Sequence, residues 1–215
     1  MSIKSMIHEL ILIANGRIMN PAVYNMFAPE NAKIIAIDGG ANQCINLGVK
    51  PDYLIGDFDS IDPGIKSKFP EAEVVHRPEQ NLTDMEKALE LAAQLNPSRI
   101  IIFSAFGDRT DHSAGNLLIF QNLSGNIPLE VIDNYGRLRI LKPGINVIKN
   151  KTGKTVSMFS YRPVKNLNIT GFKYGINMES HRDSFIGISN VYESESCTVT
   201  FDEGVLFIYE LIEHA

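Results

Sequence analysis

The chain of 215 residues has no tryptophan, only two cysteines, no basic cluster and no long apolar run, and each shortage removes a class of protein. Cys44 and Cys197 lie far apart without a CxxC pattern, which argues against a disulfide scaffold or a zinc site and leaves two inert thiols in a reducing compartment. A net charge of -5 with no basic tract argues against a nucleic-acid surface. The apolar stretch near the start, Leu10 to Ala14, is too short to span a membrane and lacks signal-peptide features, so a cytoplasmic protein without membrane contact is expected. There is no Walker-type glycine loop with lysine, and Gly39-Gly40 is too short for a dinucleotide fingerprint. What remains is an ordinary globular composition, 44% hydrophobic and 21% charged, on a chain long enough for one large or two small domains.

Short β-rich runs alternate with helical patterns through the first half, the signature of a parallel sheet with crossover helices. Strands are expected at Leu10 to Ala14, Ile34 to Ile37, Tyr53 to Ile55, Glu73 to His76 and Ile100 to Phe103. Helices are expected near Pro21 to Phe27, from Ala41 to a stop at Gly48, after the Asp62-Pro63 cap, after Thr83, and from the Gly107 loop through Leu123. Thr83-Asp84-Met85-Glu86 has capping-box spacing, and Thr110 or Asp111 is the expected N-cap of the last helix. Asn15-Gly16-Arg17 reads as a hairpin-like turn, with a nucleotide contact as the alternative. From about Leu129 β-branched alternation takes over, with strands at Leu129 to Ile132, Leu138 to Leu141, Val156 to Tyr161, Leu167 to Ile169, Cys197 to Phe201 and Val205 to Leu211. The expected fold class is α/β: an N-terminal Rossmann-like parallel-sheet domain, residues 1–134, followed by a C-terminal antiparallel β-sandwich domain, residues 135–215.

Carboxylates gather where the first-half strands end. The Ile34 strand runs into Asp38-Gly39-Gly40, the Tyr53 strand into Gly56-Asp57-Phe58-Asp59, and Asp84 and Asp111 open helices that follow strands. Ligands of a parallel sheet sit outside the carboxyl ends of its strands, so these residues share one pocket. In extended chain Asp57 and Asp59 point the same way. Clustered carboxylates repel, and a divalent cation, magnesium, is the economical neutraliser. Phosphate would then be held by metal, by Arg109 and by backbone amides at helix starts, which points to phosphoryl-group chemistry without a P-loop.

These residues lie in blocks that resemble thiamine pyrophosphokinases across nearly the whole chain. The matching blocks are Ala36 to Asn42, Pro51 to Ile61, Gln80 to Leu89, Gly107 to Leu117, and in the second half Gly171 to Ile176 and Gly187 to Asn190. The resemblance implies transfer of the pyrophosphoryl group of ATP to the hydroxyl of thiamine, giving thiamine diphosphate and AMP. It implies that Asp57, Asp59 and Asp84, helped by Asp38, hold Mg2+, and that Asn42, Gln80, Arg109 and Asp111 line the nucleotide and thiamine site. Thr83 and His112 join the candidate substrate contacts. In the second domain, the thiamine-binding one, Ser189 and Asn190 match the motif that meets the thiamine ring, and Tyr174 stands where the family often has an aromatic residue. The resemblance also implies a homodimer with active sites at the subunit interface.

Asp57, Asp59, Asp84, Arg109 and Asp111 are the candidate catalytic residues. Asp111 is the first choice of general base; a metal-bound carboxylate, or no discrete base, are the alternatives. Lys87 reads equally as a solvated surface lysine or a phosphate contact, and Tyr174 has an alternative reading as a core residue. Two positions depart from the family pattern: Asn81 stands where many members carry Asp, and Asp108 replaces the second glycine of a Gly-Gly-Arg block. A binding module that senses thiamine or nucleotide without turnover, and a metal-dependent phosphohydrolase on the same acidic edge, are the competing readings.

Overall fold

The computed structural model describes residues 9–57, 64–123, 127–177 and 184–212. The chain divides into two compact units at Asn134/Tyr135.

In the first unit the elements alternate: β1 (Glu9–Ile13), α1 (Pro21–Phe27), β2 (Lys33–Ile37), α2 (Gly40–Leu47), β3 (Tyr53–Gly56), α3 (Ile65–Lys68), β4 (Glu73–His76), α4 (Asp84–Leu95), β5 (Arg99–Phe103), α5 (Thr110–Gln121) and β6 (Leu129–Ile132). The strands lie in the order β6-β5-β1-β2-β3-β4 and pair in parallel. The chain therefore starts mid-sheet, winds outward through β4, and crosses back to place β5 on the other side of β1. β1, β2, β5 and β6 are nearly continuous apolar runs buried along almost their whole length, as interior strands of a parallel sheet must be. β4, at the edge, is largely exposed.

Local chemistry sets the helix ends. Asn20 accepts from the Ala22 N–H and Pro21 opens α1. Gly48, at φ +69°, closes α2 with N–H bonds back into its last turn. The capping box at α4 is complete in both directions, a device worth about 1 kcal/mol. The expected cap of α5 is not what forms: Arg109 occupies the N-cap without a side-chain bond, because the Asp111 carboxylate is turned onto the Arg109 guanidinium instead. The cap expected at Asp62-Pro63 lies outside the described residues.

In the second unit β7 (Gly136–Leu141), β8 (Gly144–Lys149), β9 (Thr155–Ser160), β10 (Asn168–Thr170), β11 (Ile176–Asn177), β12 (Phe185–Val191), β13 (Ser196–Phe201) and β14 (Leu206–Leu211) make two antiparallel arrays, β12-β9-β14-β7 and β11-β10-β13-β8. Burial alternates along β9 and β13, and their inward residues meet in one core with Leu206, Ile208, Ile148, Leu167 and Ile169. β8 and β12 were not anticipated as strands. Both are edge strands carrying exposed apolar residues, Ile145 and Val147 on β8, Ile186 and Ile188 on β12, so neither shows simple inward alternation.

Inside this core Glu210 is buried, accepting from the Tyr192 hydroxyl at 3.0 Å and from Arg139 Nε at 3.1 Å. Burial first, and then the Glu210 charge, push the Tyr192 phenol far above its ordinary range. Both cysteines are free and buried. Burial pushes the Cys44 thiol up to about 12, and Cys197 Sγ donates to the Gly171 carbonyl at 2.8 Å.

Two substitutions test these constraints. A Cβ on Gly40 would stand 2.0 Å from the Ile13 carbonyl oxygen, a backbone atom with no room to yield. Gly40→Ala is therefore expected to cost about 1–3 kcal/mol, read as a lowered urea midpoint. Glu210→Ala would leave Arg139 without its buried counter-charge, and an unfolding loss of about 3–5 kcal/mol is expected. A wild-type midpoint in either variant would contradict the packing described.

Candidate active site

Because the strands of the first unit are parallel, every loop that follows one emerges at the same sheet edge. That edge collects Asn15 to Asn20 after β1, Asp38-Gly39 after β2, Asp57 after β3, Arg77 to Thr83 after β4 and Ser104 to Arg109 after β5. The strand order reverses between β1 and β5, where an open α/β sheet leaves its crevice.

Main chain closes that crevice. Ala14 N–H donates to the Phe103 carbonyl at 3.0 Å, Gly16 to Ser104 at 2.8 Å and Arg17 to Phe106 at 2.8 Å. The approach requires glycine: a Cβ on Gly16 would lie 2.3 Å from the Ser104 oxygen, and one on Gly107 3.0 Å from Gly16 Cα. Asn15-Gly16-Arg17 is thus no hairpin turn. β1 is flanked by two parallel partners, and the segment after it lies along the β5 loop.

Side chains then fix the loops. Gln43, buried on α2, accepts from Met19 N–H at 3.4 Å and donates to the Gly16 carbonyl at 3.3 Å. Ser113 Oγ accepts from Gly107 N–H at 3.1 Å, and Asn116 Nδ2 donates to the Ala105 carbonyl at 2.7 Å. Arg17 reaches Asp108 at 3.2 Å, an exposed ion pair between the two loops. Reading the sequence did not pick out Gln43, Ser113 or Asn116. Gln43 did leave a signal, a polar residue on the buried stripe of α2.

Asp38 and Asp57 come together at adjacent strand ends. Asp38, at φ +45°, donates its N–H to the Ile55 carbonyl at 2.8 Å, and a Cβ on Gly56 would lie 3.3 Å from Asp38 Cα. One Asp38 oxygen is buried and Asp57 is half-buried. Asp84, in the first turn of α4, is bonded by Lys87 Nζ at 3.1 Å, and Lys87 is only 2% exposed. The solvated-surface reading of Lys87 is therefore wrong: its ammonium is buried against the Asp84 carboxylate. Asp59 lies outside the described residues. Among the described residues no group of three His, Cys, Asp or Glu side chains is close enough to hold a metal ion. The donors at the edge are nevertheless hard carboxylate oxygens on neighbouring strand ends, the chemistry that Mg2+ takes.

The other candidates separate by what already occupies them. Thr83 Oγ1 is spent on Glu86 in the capping box. Gln80 is exposed and donates to the Pro78 carbonyl at 3.3 Å. Asn42 and His112 are exposed on the first turns of α2 and α5. Arg109 grips Asp111 with two bonds, Nε to Oδ1 at 2.9 Å and Nη2 to Oδ2 at 2.6 Å. In the second unit Tyr174 is 59% exposed, so its core reading fails; Ser189, at φ +58°, is exposed; and Asn190 is buried.

Two family models match the chain in order: thiamin pyrophosphokinase, catalytic domain, over residues 24–130, and thiamin pyrophosphokinase, vitamin B1 binding domain, over residues 144–206. The chain belongs to the thiamin pyrophosphokinase family. Thiamine pyrophosphokinase of Bacillus subtilis is 29% identical over 189 residues, covering 85% of this chain and 88% of that relative. The crystal structure of thiamine pyrophosphokinase from Bacillus subtilis superposes with a TM-score of 0.78 at 26% identity, covering 96% of this chain and all of the other. Yeast thiamin pyrophosphokinase, at 15% identity, shares the fold with a TM-score of 0.79 over 99% of this chain and 90% of its own. The catalytic model of the thiamin pyrophosphokinase family spans the elements from within α1 to within β6, whose loops build the acidic edge.

The Arg109 pairing weakens Asp111 as a base. Its hydrogen bonds hold the Asp111 carboxyl well below the usual carboxylate range, and the His112 backbone N–H adds to the effect. A depressed pKa means that the pairing contributes above the ordinary carboxylate pKa and is lost only as pH falls through the lowered value, so Asp111 stays ionised at any working pH. Asp111→Asn is expected to reduce kcat/KM by loosening Arg109 while leaving the acid limb of its profile, between about pH 4 and 8, in place. An acid limb that disappeared in the variant would return Asp111 to the role of base.

Proposed function

We propose that the protein is an ATP:thiamine diphosphotransferase, a thiamine diphosphokinase that produces thiamine diphosphate and AMP. The observation that carries the proposal is the pairing, within one chain, of an acidic strand edge in the unit matched by the catalytic model with a β-rich unit matched by the vitamin B1 binding model. The first unit takes ATP with Mg2+ and the second takes thiamine; the enzyme is a homodimer, the state that the family resemblance implies, and works in the cytoplasm.

In the reaction the thiamine hydroxyl oxygen forms a bond to the β-phosphorus of ATP. The bond from that phosphorus to the bridging oxygen of the α-phosphate breaks, and AMP leaves with that oxygen. A loose transition state puts charge on the phosphoryl oxygens and asks for positioning more than for a strong base. Asp38, Asp57, Asp59 and Asp84 would hold Mg2+, which supplies charge neutralisation and orientation of the polyphosphate when bound. Arg109, aimed by Asp111, has further N–H groups for phosphate oxygens. Lys87 holds Asp84 in place. With Asp111 committed to Arg109, the hydroxyl proton passes to solvent as the new O–P bond forms, so no separate base on the chain is required. The net negative chain suits a cationic thiazolium substrate.

The test is product analysis of purified protein with thiamine, ATP and magnesium. Thiamine diphosphate and AMP in equal amounts, abolished by a chelator and restored by magnesium, are expected. Thiamine monophosphate with ADP would mean single-phosphate transfer, and free phosphate without loss of thiamine would mean a hydrolase. Asp57→Ala is expected to lower kcat by at least about a hundredfold with cooperative unfolding retained, since relieving a carboxylate cluster of one charge does not unfold the chain. Near-normal turnover in that variant would remove Asp57 from the site.

A further inference from the structure

We infer that Asn190 is a positioning residue, holding the backbone of Tyr174 so that the tyrosine ring is presented to the substrate; this rests on the reading that the second unit takes thiamine. The family motif places Asn190 at the ring of the vitamin, yet here its oxygen accepts two backbone bonds and its nitrogen donates one within the protein. Asn190 Oδ1 accepts from Tyr174 N–H at 3.0 Å and from Val191 N–H at 2.8 Å, while Nδ2 donates to the Tyr174 carbonyl at 2.8 Å. The partners fix the orientation of the amide, since a backbone N–H needs the oxygen and a backbone carbonyl needs the nitrogen. Asn190 is 6% exposed, whereas the Tyr174 side chain it serves stands 59% exposed.

The arrangement replaces a missing piece of sheet. Lys173 N–H donates to the Val191 carbonyl at 2.9 Å, and Phe172 and Tyr192 form an isolated antiparallel bridge, so residues 172–173 lie alongside 191–192. The pairing does not extend past Tyr174: Ser189 turns to positive φ where β12 is irregular against β9 between Gly187 and Asn190. The Asn190 amide carries a donor and an acceptor like a peptide group, and it bonds both backbone groups of Tyr174 as a neighbouring strand would. Aspartate lacks the donor and alanine lacks both. An aromatic side chain that is exposed while its backbone is held loses little freedom when a ring stacks on it, which is the economy of a preorganised contact.

Kinetics of variants separate this role from a direct contact or a merely structural one. Asn190→Ala and Tyr174→Ala are each expected to raise the thiamine KM about tenfold, with kcat and the ATP KM within about twofold of wild type. The double variant should be no worse than Tyr174→Ala, because Asn190 acts through that residue. Independent, multiplying increases in the double variant would overturn the inference. So would a normal thiamine KM in Tyr174→Ala, which leaves the enzymatic activity standing, whereas a wild type that forms no thiamine diphosphate overturns the reading and the inference together. Hydrogen exchange on the unliganded wild type gives an answer even if Asn190→Ala does not fold. The Tyr174 amide should be protected comparably to that of Lys173, and exchange at the rate of a free peptide would overturn the inference.

Discussion

The contact on which the catalytic unit depends is main chain against main chain: Gly16 laid on the β5 loop and Gly107 laid on the β1 loop, with no side chain between them. A parallel sheet opens where its strand order reverses, and here the opening is narrowed by peptide groups that extend the β1–β5 ladder past the strands. Every later feature of the edge follows from that closure. The β5 loop is held firmly enough to place Arg109 at the start of α5, and Arg109 in turn captures Asp111. Gly40, pressed on the Ile13 carbonyl, brings α2 and Asp38 against the same strand end, and Gly56 lets β3 follow. The acidic edge is therefore a product of glycine placement as much as of aspartate placement.

The second unit solves a different problem, holding irregular chain beside a sandwich. Gly171 is its anchor: the carbonyl accepts from Glu193 and Ser194 N–H at 2.9 Å each and from Cys197 Sγ. Its φ of +83° turns the chain into the segment that leads to Tyr174. Below that segment Tyr192 stacks on Phe172, with ring centres 4.9 Å apart, and sends its hydroxyl to Glu210. A buried charge with two good partners is costly to break and tolerates few rearrangements, so it ties Tyr192, just past the end of β12, to Glu210 on β14 and gives the segment above a stable base.

Much of this was legible in the sequence. The parallel half showed as apolar runs ending in Asp or Gly, and the capping box at Thr83 set the start of α4 to the residue. The strand-end carboxylates were visible because period and punctuation place them. What escaped had no local signal, or had one that belonged to another element. Lys87 looks like any lysine one turn into a helix, and only tertiary packing of α4 buries it. β8 and β12 escaped because edge strands with outward Ile and Val do not alternate cleanly. Asn15-Gly16 carries the dipeptide of a hairpin, but the glycine is needed for close approach rather than for a turn. Asn190 was assigned by motif to a ligand, and the bonds that commit it to Tyr174 join positions 16 apart in the chain.

The state of the two cysteines reaches beyond packing. Peroxides and disulfide-exchange partners attack the thiolate, and only where they can reach it. Cys44 is shut inside the first unit with its proton held by burial, and the Cys197 proton is engaged by the Gly171 carbonyl inside the second. Oxidants therefore find no foothold on either sulfur while the chain is folded. Thiol oxidation is expected of the unfolded chain and not of the folded one.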